Sequence, residues 1–212
     1  NQVSKLQKKI NLEFIAVNNG SKDNSTKEMR LFKKKINNLK IINIKKNIGF
    51  GNGIKVGISK AKCDLICYTH GDLQYDLFNI LKAYKIYKLN KTKKILIKGR
   101  RSNRPLFDIF FTFFMSTINT ILFRKLLVDI HAQPNLFNKS LIKNINLLPN
   151  NMIFDLYILL SAKIKNYKIT RFKVNFLNRQ HGVGSNDSLV KKLKYSLLSL
   201  FSSLNIFFNG RF

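Results

Sequence analysis

At 212 residues and 24.7 kDa, with 45% hydrophobic residues, the chain is long enough for one domain with a real core and too short for two comfortable ones. Lys and Arg number 39 against 10 Asp and Glu, a formal charge of +29 with a pI near 10.3, which repels cations and attracts polyanions such as nucleic acid, an anionic membrane face or diphosphate-bearing substrates. The abundance of Lys, Asn and Ile also matches AT-rich coding sequence, a bias that accounts for the lysines but not for the scarcity of acidic groups.

Residues 1 to 11 read as a helix, and "LEFIAV" (12 to 17) as the first strand. A helix over about 24 to 36 follows, with Asp23, Asn24 and Ser25 available to cap it. The strand "LKIINI" (39 to 44) leads to a helix over about 50 to 61, and the strand "CDLICYT" (63 to 69) to a helix over about 76 to 88 that Asp76 can cap. Cys63 and Cys67 lie four apart on one face of that third strand, match no CxxC redox or zinc spacing, and read as small core residues in a reducing compartment. The strand "KILIKG" (94 to 99) ends the regular alternation. Pro105 then opens a long apolar helix, "LFDIFFTFFMSTINTILF", close to the roughly 20 apolar residues of a membrane span. Asp108 and Asn119 argue against a span and Arg124 closes the run, so the helix is read as buried or interfacial. A helix over 153 to 166, a strand in "ITRFKVNFL" and a basic, Leu- and Phe-rich helix from about 188 to 206 complete the chain. This alternation predicts one α/β domain over residues 1 to 212, a mostly parallel sheet with helices on both faces.

In open α/β sheets, ligands bind beyond the carboxyl ends of the strands. Three polar clusters fall there: "NNGSKDNS" after the first strand, "THGDLQ" after the third and "GRRSNR" after the fourth. Taken in order, "VNNGSKDNS", "NIGFGNGIKVGISKAKCDLI" and "THGDLQYD" resemble the inverting family-2 glycosyltransferases with a GT-A fold. Downstream, "KGRRSNRP" resembles the Gly-x-Arg segment of the dolichyl- or polyprenyl-phosphate sugar transferases, and "FLNRQHGVGS" resembles their Arg-x-x-Gly-x-Ser element. The resemblance runs from about residue 12 to 195. It implies a Rossmann-like GT-A sheet, with the nucleotide-sugar half at about 1 to 100 and the acceptor half and C-terminal helix at about 101 to 212.

By this resemblance Asn18, Asn19, Gly20, Ser21, Asn47 and Gly49 bind the nucleotide, and Asp72 is the second metal-binding Asp, holding Mg²⁺ or Mn²⁺ against the leaving diphosphate. An Asp two residues past a strand is also a common turn or cap residue. Two positions depart from the family pattern. His70 replaces the first Asp of Asp-x-Asp, which makes it either a softer metal ligand or a neutral imidazole bonded to ribose or backbone. Asn18 stands where an Asp usually meets the base, and offers both a donor and an acceptor. Arg101 matches an Arg that meets an acceptor phosphate, and Arg179 and Ser185 match a segment that closes over donor phosphates, with His181 beside them. A guanidinium fork suits phosphate oxygens. Asp155 sits on an apolar helix face, where desolvation would raise its pKa toward that of a general base; the alternative is an Asp favoured by the helix N-terminus. Asp129 is a second acidic candidate, and Gln133 is placed on the acceptor side.

The family's first strand has no counterpart before "LEFIAV", so an N-terminally truncated chain is expected. The expected function is transfer of a sugar, with inversion, from a UDP-, GDP- or similar sugar to a polyprenyl phosphate or surface-glycan acceptor. The alternatives are a non-catalytic remnant or a basic nucleic-acid-binding protein. Against the latter, the lysines are spread along the chain and no helix-turn-helix, RRM or zinc pattern appears. No secretory-type leader is seen, which fits a cytoplasmic location. The Phe-rich helix and the tail "LVKKLKYSLLSLFSSLNIFF" combine large apolar side chains with Lys and Arg, and predict a peripheral protein on the inner face of the cytoplasmic membrane. The alternative is that both helices bury their apolar faces in the core or in a dimer contact.

Overall fold

Strands and helices alternate because runs such as Leu39–Ile44 are β-branched and apolar, whereas stretches such as Phe50–Lys60 place their apolar residues at helical spacing. A computed structural model of the chain describes residues 2–36, 38–72, 74–177 and 189–209. In chain order the elements are α1 (Gln2–Gln7), β1 (Phe14–Asn19), α2 (Ser25–Lys33), β2 (Leu39–Ile44), α3 (Phe50–Lys60), β3 (Leu65–Tyr68) and α4 (Phe78–Leu89). They continue with β4 (Ile95–Ser102), α5 (Leu106–Phe123), β5 (Asn135–Asn138), α6 (Phe154–Ile164), β6 (Lys168–Asn175) and α7 (Leu189–Asn209). The N-cap positions are Asn24 and Leu77, neither with a side-chain cap bond; Asp23 and Asp76, one residue earlier, instead accept the first helical amides, Asp23 Oδ1 from Ser25 at 3.0 Å and Asp76 Oδ1 from Phe78 at 2.9 Å.

The strands form two groups. β1 and β2 pair in parallel, with Phe14 opposite Leu39, while the other four lie in the order β3-β5-β4-β6. β4 and β6 form a long parallel ladder from Ile95 opposite Lys168 to Ser102 opposite Asn175. β5 runs antiparallel between β3 and β4 and was not expected from the sequence. It has only four residues, follows Pro134 and begins and ends with Asn, so it carries no period-2 signal to read.

The four-stranded group is buried on both faces. Ile66, Tyr68, Leu96 and Phe137 pack toward α6, which is enclosed along its length, and Ile95, Ile97, Leu136 and Cys67 pack toward Ala83, Tyr84 and Tyr87 of α4. Cys67 is thus a core residue as expected, and burial pushes its thiol up to about 12; Cys63 is exposed. α3 rests on β1, where Gly57 lets Val17 approach, and contributes Ile58 to the α6 core, so it spans both strand groups. A third cluster, Val3, Ile36 and Leu39, fixes α1 against the β1–β2 pair.

The tightest backbone approach is at Gly99, in β4, where an added Cβ would lie 2.2 Å from the Gln133 carbonyl oxygen and 3.0 Å from Val174 Cγ2. Gly99→Ala is therefore expected to destabilise the protein by about 1–3 kcal/mol, read as a lowered urea midpoint. Gly71→Ala meets nothing within 4 Å and is expected to stay within about 0.5 kcal/mol of wild type.

Candidate functional site

The carboxyl ends of β1, β3 and β4 open onto one edge of the domain, and the polar clusters noted in the sequence sit there. After β1 the chain turns at Gly20, whose φ of 77° lies in the left-handed region. A side chain at Gly20 would also strike the Asn47 amide nitrogen, 2.5 Å away. The two glycine-containing turns therefore dock on each other: Asn19 Nδ2 donates to Asn47 Oδ1 at 3.1 Å and to the Gly49 carbonyl at 2.9 Å. Asn18 is buried and builds the turn from within. Its Oδ1 accepts the Ser21 amide at 2.9 Å, and its Nδ2 donates to Thr26 Oγ1 at 2.7 Å. Thr26 lines a cavity of about 410 Å³ beside the turn, which Lys27, Arg30 and Lys34 make cationic.

After β3, His70 lies between the rings of Phe50, 4.9 Å away, and Tyr75, stacked at 6.1 Å. Burial lowers its pKa, and the charges of Asp155 and Asp72 oppose that shift without reversing it, so the imidazole is neutral near pH 7. Asp72 Oδ1 accepts the amide of Gln74 at 3.2 Å, the turn geometry that a short acidic side chain favours. Gln74 in turn is bonded to Leu177, carbonyl to amide at 3.0 Å. Leu177, the last described residue before 178–188, is therefore held beside the Asp72 loop. Arg179, His181 and Ser185 fall within that stretch, outside the described residues.

After β4, Arg101 is committed to Asp129. Nε and Nη2 both donate to Oδ1, at 2.7 and 2.5 Å, and the Arg101 amide donates to Oδ2 at 2.9 Å. Burial pushes the Asp129 carboxyl up, but the Arg101 charge and its hydrogen bonds outweigh that and hold it below the usual carboxylate range. Arg101, expected to meet an acceptor phosphate, and Asp129, expected on the acceptor side, thus form one ion pair. Gln133 is fully buried at the same edge, and neither end of its amide finds a partner among the described residues; nor does Thr69 Oγ1. These atoms are enclosed, so the Gln133 amide corrects its expected place on the acceptor side: it lies beneath the site edge and not on a surface that a ligand touches.

Asp155 corrects the expectation made for it. It is 0% exposed, so its carboxylate cannot touch a substrate. Its pKa is also lowered, not raised: burial pushes it up, but the His131 hydrogen bond, the Lys98 charge and the Tyr68 hydroxyl outweigh burial. Tyr68 donates to Oδ1 at 2.6 Å, Asn135 Nδ2 lies 3.4 Å from the same oxygen, and His131 Nδ1 is 3.4 Å from Oδ2. Tyr68, Asn135 and Lys98 are register neighbours on β3, β5 and β4, so they form one polar row on the sheet face beneath α6. Lys98 Nζ donates to the Ala132 carbonyl at 3.1 Å and to Asn135 Oδ1. His131, with a third of its side chain exposed, is the member that reaches solvent. The sequence reading missed this network. Its one visible signal was a Lys inside the apolar strand "KILIKG", a charge that burial permits only with partners.

Among the described residues no group of three His, Cys, Asp or Glu side chains could hold a metal ion. His70 and Asp72 supply two donors on one loop, a neutral nitrogen and a carboxylate, which suits a borderline ion such as Mn²⁺ when phosphate oxygens complete the shell.

The family model described as "Glycosyl transferase family 2" matches residues 2–127. Among curated proteins, the chain is similar to a dolichyl-phosphate beta-glucosyltransferase of Dictyostelium discoideum, 29% identical over 49% of this chain and 32% of that protein. It is also similar to an uncharacterized protein of Methanocaldococcus jannaschii, 32% identical over 57% of this chain and 55% of the other. The chain thus spans about a third and about half of the length of these two relatives. Among solved structures, it resembles glucosyl-3-phosphoglycerate synthase from Mycobacterium tuberculosis in complex with Mn²⁺, UDP and glucosyl-3-phosphoglycerate. The TM-score is 0.68 at 13% identity, over 95% of this chain and 72% of that one. At that identity the likeness is one of fold, and the fold is GT-A.

Burial pushes the Lys98 amine down to about 8, against about 10.4 in an unfolded chain. Between those values the unfolded state binds the extra proton, so Lys98 makes stability rise with pH. The stability of wild type minus that of Lys98→Met, from urea melts, is expected to climb by about 2 kcal/mol from pH 8 to pH 10. A flat difference would show that the amine is not held in the core as described.

Proposed function

The chain belongs to glycosyl transferase family 2, and on that premise we propose that it moves a sugar from a nucleotide-sugar donor to a polyprenyl phosphate or surface-glycan acceptor, with inversion at the anomeric carbon. The observation that carries this reading is the meeting, at one edge of the domain, of the interlocked Asn19–Gly20 and Asn47–Gly49 turns with the His70–Asp72 loop, joined by the Phe50–His70 ring contact. The turns offer backbone and amide groups to a nucleoside, and the loop lies where its diphosphate would follow. A Mg²⁺ or Mn²⁺ ion held by His70 and Asp72 would neutralise the charge that builds on the leaving diphosphate. Arg179 and Ser185 are assigned to the same phosphates by sequence pattern. Glucosyl-3-phosphoglycerate synthase was solved with Mn²⁺ and UDP, which supports the same donor chemistry here.

The acceptor side is assigned to the Arg101–Asp129 pair and His131, with Gln133 buried behind them. A polyprenyl phosphate oxygen is already ionised and needs no base. A sugar hydroxyl must lose a proton, and His131, oriented by Asp155 behind it, is the group placed to take it. The dolichyl-phosphate relative favours the first acceptor class.

With a UDP- or GDP-sugar and Mn²⁺ at 100 times the dissociation constant, unfolding is expected to become harder by about 2.7 kcal/mol, read as a raised Tm. Asp72→Asn should lose the metal-dependent part of that rise. Stabilisation by nucleic acid and by no nucleotide would reverse the reading. For a hydroxyl acceptor, His131→Gln is expected to lower kcat by about 10²–10⁴-fold. With polyprenyl phosphate as acceptor, the same variant should stay within a few-fold of wild type.

A further inference from the structure

α5 is built inside out, and α7, which anchors Ile206 in the core, carries an exposed apolar stripe beside it. On α5 the side chains turned to the protein include Ser116 and Asn119, both buried, and Asp108, while Leu106, Phe107, Phe110, Phe113, Phe114 and Ile121 are exposed, Phe113 by 70%. On α7, Ser203 is buried and Val190, Leu193, Leu197, Phe201 and Phe208 are exposed, recurring every three, four or seven residues along one stripe. Asn119 Nδ2 donates to the Met115 carbonyl at 2.8 Å and Ser203 Oγ to the Ser199 carbonyl at 2.9 Å, each within its own helix, while Asn119 Oδ1 finds no partner among the described residues. In water this arrangement leaves the apolar face unburied. In lipid it is the expected one, with small and polar residues between helices and large apolar ones outside.

The two helices lie side by side and parallel. Lys192 Nζ meets Asp108 Oδ1 at 2.5 Å near their N-termini, and the Phe123 and Phe207 rings are 5.9 Å apart near their C-termini. Positively charged residues flank the apolar slab at both ends: Lys191 and Lys194 on the first turns of α7, Arg124 and Lys125 just past α5, all exposed. The one carboxylate on these helices, Asp108, is neutralised by Lys192. An apolar face rimmed by cations is complementary to a bilayer with anionic headgroups.

Among the described residues α5 alone is long and apolar enough to cross a membrane, with 11% of it buried, but its connections forbid a crossing. Its 18 residues make a rod of about 27 Å. Arg101 and Asp129, five residues before it and six after it, form one ion pair. Six residues of chain reach at most about 20 Å. Leu127, four residues past the helix, is fully buried in the α6 core, and its amide is held by Thr120 Oγ1 at 3.0 Å. Both ends of the rod are thus tethered to the body of the domain, so α5 lies along its surface and cannot point away from it.

We propose that the α5–α7 face docks flat on an anionic membrane surface, its phenylalanines in the boundary between headgroups and acyl chains, without spanning the bilayer. This goes beyond the catalytic reading and does not depend on it. The chain has no Trp, so Phe113→Trp supplies a single reporter. The protein is mixed with vesicles of phosphatidylcholine alone or with phosphatidylglycerol, floated at low and high salt, and the Trp is quenched with lipids brominated at shallow or deep positions. Expected are flotation with the anionic vesicles, weaker with neutral ones and reduced by salt, and strongest quenching at shallow positions, about 5–10 Å into the leaflet. Replacing Phe110, Phe113 and Phe114 together by Ser should cut the bound fraction by about tenfold or more while leaving the urea midpoint unchanged. Absence from both vesicle types, undiminished binding by the triple variant, strongest quenching at the bilayer centre, or a dimer that the triple variant dissolves would each overturn the proposal. None of these outcomes bears on donor binding, which the thermal shift with nucleotide sugar reads separately.

Discussion

The buried carboxylate of Asp155 is the interaction on which the rest of the site depends. A charge without water is tolerated only when it is paired and hydrogen-bonded, and here the sheet supplies the partners: Tyr68 from β3, Asn135 from β5, and the nearby charge of Lys98 from β4. Three strands and the central helix are thereby fixed to one point. The same point holds His131 by its ring nitrogen, so the solvent-facing imidazole is oriented by the core and not by its own loop.

Electrostatics at the site edge follow the same economy. A chain of +29 could have crowded its cleft with cations, yet Arg101 is matched by Asp129 and Lys98 by Asp155. Further positive charge lies close by on Arg104 and Arg171, beside the Asn18 turn at Lys27, Arg30 and Lys34, and along α7. These are the places where anionic partners from solution or from a surface would be drawn.

Much of this was legible in the sequence, for physical reasons that differ from element to element. β2 and α5 were bounded correctly because their apolar periods are long and end at clear breakers. The Gly20 and Gly49 turns were legible because each requires a backbone that favours glycine, with φ of 77° and 125°. β5 was not, since four residues between Pro134 and a turn carry no period. Arg101, Asp129 and Asp155 were singled out as site candidates, but the Arg101–Asp129 and Tyr68–Asp155 contacts join residues 28 and 87 apart, and no local pattern encodes a contact at that separation. Asp155 was therefore taken for a desolvated base, whereas its surroundings make it an anion. The inverted polarity of α5 was also hidden, because composition records which residues a helix carries and not which face meets the protein.

The brevity of β5 has its own consequence. A strand of four residues has little ladder to hold its alignment, and a slip by one position would turn Asn135 to the α4 face and bring Leu136 opposite Tyr68. Asp155 would then face a leucine, and Lys98 would lose the amide oxygen that accepts from it. Two charges stranded in the core cost several kcal/mol, far more than a shifted pair of backbone bonds. The polar row thus works as an error check on the assembly of the sheet: only one alignment of this short strand pairs every buried charge, and it is the one that builds the candidate site edge.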